Sequence, residues 1–144
     1  MNLFTLLFSF RGRINRAKYW LAVLIYLISL SILWAIVYWY ELEGGALIAV
    51  AVFALPIWVS GIAVGIKRLH DRDKSGWWIL LFYFGPQVLN GLATAAGENE
   101  QILSLLLSTA SVALGIWAIV ELGCLRGTPG PNRFGPDPLA KATA

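Results

Sequence analysis

Four long apolar stretches divide this chain of 144 residues, and short polar segments separate them. The stretches cover about residues 20–40, 45–66, 77–96 and 102–120, and none contains a charged residue. About 20 apolar residues form a helix that crosses a hydrocarbon core of roughly 30 Å. Because lipid offers no hydrogen-bond partners to free backbone groups, the pattern predicts four membrane-spanning helices.

The predicted fold class is all-α, an integral membrane four-helix bundle that forms one domain over residues 1–138. Residues 1–10 are apolar but too short to cross a membrane, which favours a short N-terminal interfacial helix. Seven of the twelve residues in 127–138 are Gly or Pro, so this segment is not a helix. It is either a disordered linker or a Pro/Gly-rich strap folded back on the membrane face, and we predict the strap. Residues 139–144 are predicted to be a frayed tail.

The charges of the chain predict its orientation. All eleven Lys and Arg residues fall in three clusters, at 11–18, 67–74 and 126–141, and the two remaining connections carry only acidic charges. Four antiparallel spans bring all three clusters to one side of the membrane. The positive-inside rule therefore predicts that both chain termini are cytoplasmic.

Composition narrows the class of protein further. The chain is 58% hydrophobic and 13% charged, with a mean hydropathy of +0.70, which exceeds what a soluble domain of this size can bury. The net charge of +3 does not indicate nucleic-acid binding, because the cations flank apolar spans. A single cysteine, Cys124, excludes an internal disulfide, and the sequence contains no metal, nucleotide or cofactor motif.

Two features inside the spans bear on packing and transport. Gly61 and Gly65 form a GxxxG pair, which suits close packing of the second span on the fourth better than a homodimer seam. Gln87 and Asn90 are the strongly polar side chains of the third span, and we expect them to face the bundle interior. A substrate pathway is the alternative interpretation of this pair.

Three polar segments carry the most specific sequence motifs. Gly12-Arg13, Arg16 and Tyr19-Trp20 precede the first span, residues 67–78 read KRLHDRDKSGWW, and residues 132–138 read NRFGPDP. In this order the motifs resemble those of the bacterial domain-of-unknown-function family 805, over essentially the whole chain. Lys67 replaces the Arg that is usual in the family, and Phe134 takes a place often held by Tyr. The resemblance implies a small multi-pass protein of the bacterial inner (plasma) membrane and implies no activity.

The same segments contain the candidate binding residues. Arg68 and Asp71, three apart on a helix, are expected to pair. Converging arginines near the phosphate plane predict a site for an anionic headgroup or a partner. The candidate residues are Arg13, Arg16, Arg68, His70, Asp71, Arg72, Trp77, Asn132 and Arg133. His70 beside Asp71 also suggests an acid–base pair, although no nucleophile motif accompanies it.

These observations lead to one main functional hypothesis and two alternatives. The main hypothesis is a non-enzymatic scaffold, or a lipid- or partner-binding element, that acts through its basic cytoplasmic face. Its expected partners are membrane lipids, anionic ones in particular, and a membrane or cytoplasmic protein, with no nucleic acid and no cofactor. The alternatives are a small transporter or channel subunit and an enzyme acting on lipid headgroups.

Overall fold

The computed structural model of the chain describes residues 2–97 and 100–140, and this part is helical without a β-strand. Its helices are α1 (Leu3–Phe8), α2 (Arg16–Trp39), α3 (Gly45–Asp71), α4 (Trp78–Ala96) and α5 (Gln101–Ile119), and a π-helical turn (Val120–Cys124) continues α5. Four of them, α2 to α5, are long and apolar enough to cross a membrane. The predicted all-α class is therefore confirmed for the described residues, which contain four helices of the length and hydropathy predicted for the spans. Met1, Glu98, Asn99 and most of the predicted frayed tail, from position 141 on, lie outside the described residues.

Asparagine side chains begin the first two helices. Asn2 Oδ1 accepts a hydrogen bond from Thr5 N at 2.8 Å, and Asn15 Oδ1 accepts one from Lys18 N at 3.0 Å. Such caps satisfy backbone N–H groups that have no partner within the helix. Since Asn15 caps α2, this helix begins four residues before the predicted boundary at 20 and includes Arg16 and Lys18 in its first turn.

The third helix runs five residues past the predicted boundary at 66. Lys67, Arg68, Leu69 and Asp71 continue α3 and are all buried. The hydropathy pattern placed the end of the span at the first charge, but tertiary contacts stabilise another turn of helix beyond it. After α3 the chain reverses through Asp73, whose positive φ of 56° forms part of the turn.

The GxxxG pair lets α3 approach α4. A Cβ atom on Gly61 would lie 2.8 Å from Tyr83 Oη, and one on Gly65 would overlap the side chain of Ile79. The pair therefore serves packing within the chain, as predicted. The predicted partner was wrong, however, because Tyr83 and Ile79 belong to the third span rather than the fourth.

The fourth span packs chiefly on the third. Ser111 Oγ of α5 donates a hydrogen bond to the carbonyl oxygen of Pro86 in α4 at 3.0 Å. Gln87 and Asn90 lie on the exposed surface of α4, so the expectation that they face the bundle interior was wrong. Small residues at 85 and 111 occupy the α4–α5 contact instead, where helices in lipid approach each other most closely.

The buried core lies at one end of the bundle. In α3 the buried residues run from Ser60 to Asp71, whereas residues 45–59 are exposed or only half-buried. Two apolar clusters line this end: Leu6, Ile14, Ala22 and Val64 in one, and Leu69, Ile79, Phe82 and Leu122 in the other. We call this end the polar end. It comprises α1, residues 9–18, the last turns of α3 with the loop that follows, the π-helical turn, and residues 125–140, which we call the C-terminal segment.

Candidate functional site

Two buried arginines share one buried aspartate at the polar end. Arg13 Nη2 lies 3.1 Å from Asp71 Oδ1, and Arg68 Nη1 contacts Asp71 Oδ2. The side chains of Arg13, Arg68 and Asp71 are 1%, 0% and 4% exposed. We call this group the Arg13–Asp71–Arg68 triad; its Arg68–Asp71 pair has the predicted i, i+3 spacing.

The triad carries one positive charge more than its single carboxylate balances, and backbone carbonyl oxygens offset that excess. Arg68 Nε donates to the carbonyl oxygen of Leu122 at 2.7 Å, and its Nη2 donates to that of Leu125. Both carbonyls lie where the fourth span ends, and the negative end of a helix dipole favours a cation there. Arg68 therefore ties the end of α3 to the end of the fourth span.

Arg13 ties the segment between α1 and α2 to the C-terminal segment. Its Nη1 donates to the carbonyl oxygens of Gly130 at 2.7 Å and Gly135 at 3.2 Å. Its Nη2 donates to the carbonyl oxygen of Thr128 at 2.6 Å and lies 3.3 Å from Thr128 Oγ1. The planar guanidinium thus binds three backbone carbonyls of the C-terminal segment while it pairs with Asp71.

Further bonds hold the C-terminal segment against the end of α3. Thr128 N donates to the carbonyl oxygen of Asp71 at 2.8 Å. Asn132 Nδ2 donates to the carbonyl oxygen of His70 at 2.9 Å. Arg133 Nε lies 3.2 Å from Asp73 Oδ1, in a pair whose side chains are 60% and 45% exposed. The C-terminal segment thereby donates to two of the last four carbonyl oxygens of α3, which a helix leaves without intrahelical partners.

Asp137 closes a turn within the C-terminal segment. Its Oδ1 accepts a hydrogen bond from Leu139 N at 2.9 Å, and its Oδ2 accepts one from Gly130 N at 3.0 Å. These two backbone donors stabilise the carboxylate and hold the pKa of Asp137 below its ordinary value. Gly130 itself has a φ of 74°, a conformation that favours glycine.

Gly127 lies directly against the triad. A Cβ atom at this position would overlap Oδ2 and Cγ of Asp71. The close approach leaves no space between the C-terminal segment and the carboxylate. A cavity of about 20 Å³ lies nearby, lined in part by Arg16, Asp71 and Arg126. That volume holds about one water molecule and no substrate.

A second ion-pair cluster lies beside the triad. The buried carboxylate of Glu121 has its Oε1 3.0 Å from both Arg72 Nε and Lys74 Nζ. Arg72 Nη1 also donates to the carbonyl oxygen of Arg126 at 2.7 Å. The cluster joins the loop after α3 to the π-helical turn.

Lys67 is fully buried and bonds to backbone rather than to a carboxylate. Its Nζ donates to the carbonyl oxygens of Thr5, at 2.9 Å, and Leu6. These carbonyls belong to the last turn of α1, where a cation is favoured. Ser60 Oγ donates to the carbonyl oxygen of Leu7 at 2.8 Å, so two α3 side chains hold the end of α1.

His70 does not form an acid–base pair with Asp71. Its Nδ1 lies 3.2 Å from the carbonyl oxygen of Gly12, which can only accept, so Nδ1 carries the proton in this bond. The imidazole stacks on Phe134 with ring centroids 3.8 Å apart and planes 6° from parallel. Asp71 binds the two arginines instead.

Within residues 2–97 and 100–140, no cluster of three or more His, Cys, Asp or Glu side chains could hold a metal ion.

The structure brings together seven of the nine candidate site residues. Arg13, Arg68, His70, Asp71, Arg72, Asn132 and Arg133 belong to one continuous set of contacts at the polar end. Arg16 is exposed and donates to the carbonyl oxygen of Cys124 at 2.9 Å, and Trp77, which is 78% exposed, lies in the turn that leads into α4. Ligand binding by these residues stays a prediction.

Sequence reasoning missed the partners that hold this site together, namely Glu121, Gly127, Thr128 and Asp137. A signal was available for the acids. Four of the eight acidic residues (Asp71, Asp73, Glu121 and Asp137) lie in or beside the cationic segments rather than in the acidic turns. An acid among clustered cations indicates an internal partner, and the structure gives each of the four an ion pair or backbone donors.

Comparison with known proteins gives a consistent result over most of the chain. The family model described as protein of unknown function (DUF805) matches residues 7–136. Inner membrane protein YhaH of Escherichia coli strain K12 is 32% identical over 133 residues, which are 90% of this chain and 87% of that protein. Uncharacterized protein YiiR of the same strain is 31% identical over 136 residues, which are 91% of this chain and 86% of that protein. Inner membrane protein YhaI, also of Escherichia coli strain K12, is 30% identical over 132 residues, which are 90% of this chain and 86% of that protein. No solved structure matches the chain.

Proposed function

This chain belongs to the DUF805 family of proteins of unknown function, and we propose that it is a non-enzymatic scaffold of the bacterial inner membrane. In this proposal both termini are cytoplasmic, and a rigid polar end presents a binding surface for a partner protein. The names of two relatives place those proteins in the inner membrane. The four apolar helices of this chain support the same location for it.

The distribution of cations supports the cytoplasmic orientation. Within the described residues, the Lys and Arg residues all lie at the polar end, at positions 11–18, 67–74, 126 and 133, and both connections at the opposite end contain only acidic charges. Cytoplasmic loops of membrane proteins carry an excess of Lys and Arg.

The buried triad is the observation that carries the scaffold proposal. It joins residue 13, the end of α3 and the C-terminal segment, which are far apart in sequence, through buried charges. Removing one partner from such a group leaves an uncompensated buried charge, so the three segments keep one arrangement. An arrangement this fixed, with space for about one water molecule beside Asp71, suits a preformed surface better than a substrate site.

In-cell photocrosslinking tests the proposal. A photoreactive residue replaces Pro131, which is exposed on the C-terminal segment, and a control chain carries it at Glu43, exposed in the acidic turn between α2 and α3. We expect a discrete protein adduct from position 131 and none from position 43. Asp71→Asn should abolish the adduct while leaving membrane insertion intact. Absence of any adduct at 131, or an adduct that Asp71→Asn leaves unchanged, would contradict the proposal.

The transporter alternative was motivated by Gln87 and Asn90 and by the prolines within the second and third spans, Pro56 and Pro86. Gln87 and Asn90 lie on the exposed surface of α4, so they do not support a pathway inside the bundle. The enzyme alternative depended on His70 and Asp71 acting as a pair. His70 bonds to Gly12 and stacks on Phe134, while Asp71 binds Arg13 and Arg68. Neither alternative has a specific contact that favours it over the scaffold.

A further inference from the structure

The structure divides the cations of the polar end into two groups. Six of them are committed to internal contacts: Arg13, Lys67, Arg68, Arg72, Lys74 and Arg133. Four others are exposed or half-buried and form no ion pair within the described residues, although Arg16 donates one hydrogen bond to a backbone carbonyl: Arg11, Arg16, Lys18 and Arg126. We call these four the unpaired cations. Since a buried or paired guanidinium has little to offer an external anion, the charge available for binding belongs to this second group.

Three of the unpaired cations surround the start of α2. Arg16 and Lys18 lie in its first turn, where the helix dipole adds positive potential. Arg16 Nη1 donates to the carbonyl oxygen of Cys124, two residues before Arg126. Arg16 and Arg126 also line the same small cavity. Arg16, at the beginning of the first span, and Arg126, after the end of the fourth, therefore lie side by side.

Exposed apolar residues accompany the unpaired cations in the chain. Phe10 precedes Arg11 and is 45% exposed, and Leu125 precedes Arg126 and is 37% exposed. Trp20, 47% exposed, follows Arg16 by four residues, or about 6 Å along the helix axis. Tryptophan prefers the membrane–water interface, so Arg16 lies slightly outside that level, where headgroup phosphates are found.

We propose that Arg11, Arg16, Lys18 and Arg126 form a binding surface for the phosphate groups of anionic phospholipids, and that the buried arginines take no part in it. The inference rests on the proposed membrane location and reassigns the predicted headgroup site to a different set of side chains. A soluble anion would use the cations alone. A lipid surface matches the cations and the exposed Phe10, Trp20 and Leu125 together, because it offers phosphates and apolar chains in adjacent layers.

Two single substitutions provide a matched test. Arg126 and Arg133 lie on the same segment and are both exposed, but Arg133 pairs with Asp73 and Arg126 has no ion pair in the described part of the chain. Purified wild type, Arg126→Gln and Arg133→Gln are placed in detergent micelles that contain phosphatidylglycerol and phosphatidylethanolamine. Native mass spectrometry then counts the lipid of each class that each protein retains, and unfolding temperatures confirm that all three are folded.

A cation near an anionic leaflet contributes about a fivefold preference. We therefore expect Arg126→Gln to lower the selection of phosphatidylglycerol about fivefold and Arg133→Gln to leave it unchanged. Replacing all four unpaired cations by Gln should remove the selection. Equal losses in the two single variants would overturn the assignment, as would full selection in the fourfold variant.

Added glycerol phosphate identifies the source of the phosphate group. We expect it to leave lipid retention unchanged at millimolar concentration; displacement of the lipid by it would contradict a lipid surface. Micelles have no cytoplasmic side, so this result does not depend on the orientation of the protein in the cell. If crosslinking gives no adduct while the lipid selection is as expected, the scaffold proposal fails and the lipid surface stands. If crosslinking gives the adduct while the lipid selection does not depend on the unpaired cations, the lipid surface fails and the scaffold proposal stands.

Discussion

Arg13 shows how one side chain can organise three separate segments. Its donors reach Asp71 and the carbonyl oxygens of Thr128, Gly130 and Gly135, so the buried charge is fully hydrogen-bonded. Burying an ion costs several kcal/mol unless its remaining donors and acceptors are satisfied. The Gly and Pro residues of the C-terminal segment have a clear role here, because they turn the backbone so that its carbonyls converge on one guanidinium.

Gly127→Ala should disrupt this arrangement through a single methyl group. The new Cβ would overlap the Asp71 carboxylate and separate it from its two arginines. Breaking a buried ion pair costs about 3–5 kcal/mol, and we expect a loss of that size in the free energy of unfolding. Unfolding in detergent measures the loss. Gly91→Ala is the control, because its Cβ would meet nothing within 4 Å, and it should be neutral or slightly stabilising. Equal stability of the two variants would contradict the described contact.

Asp137 makes the C-terminal segment sensitive to acid. Its pKa in the folded protein lies below the ordinary value of 3.8, because backbone N–H groups of Leu139 and Gly130 stabilise the carboxylate. The stabilisation is therefore complete above that ordinary value and is lost as the pH falls through the lower folded-state pKa. We expect faster hydrogen exchange in residues 127–140 as acid is added, after correction for intrinsic rates. Asp137→Asn should exchange faster at neutral pH and show a smaller response to acid.

At the scale of the elements, periodicity and length predicted the spans well and their ends poorly. The ends of α4 lie within one residue of the predicted 77–96, whereas α3 runs on to Asp71. Hydropathy indicates which residues contact lipid, so a span predicted from it ends at the first charged residue. It cannot detect that Lys67 and Arg68 are buried by α1 and by the end of the fourth span, since those contacts join residues more than 50 positions apart.

Lys67 should determine whether α1 stays docked. A helix of six residues is unstable alone, so α1 depends on tertiary contacts such as those of Lys67 with Thr5 and Leu6. We expect Lys67→Met to accelerate hydrogen exchange in residues 3–8 at least tenfold, the effect of about 1.4 kcal/mol. Lys67→Arg restores the residue usual in the family and keeps donors for the two carbonyls. It should exchange like the wild type; if Lys67→Met does so as well, Lys67 does not hold the helix.

For the whole molecule, the sequence predicted which chain segments meet. It did not predict which of their charged side chains pair with one another. Clustered cations indicated that residues 11–18, 67–74 and 126–141 share one end. Charge counting could not separate Arg133, paired with Asp73, from Arg126, because pairing depends on side-chain geometry. Nor could spacing show that Asp71 pairs with Arg13, 58 positions away. The fold follows from one-dimensional patterns, whereas the site depends on long-range contacts that one sequence does not encode locally.

The orientation of the molecule provides a test that is independent of the site. Orientation is set while the chain inserts, before the triad forms, so every Lys and Arg near a span counts at that stage. A reporter active only in the periplasm should be silent when fused after Ala144 and active when inserted after Glu43, in the turn between α2 and α3. Asp71→Asn should leave both readings unchanged, because it alters the folded polar end without removing a cation. Periplasmic activity after Ala144 would refute the orientation, and a reading that changes with Asp71→Asn would mean that folding of the polar end helps to set it.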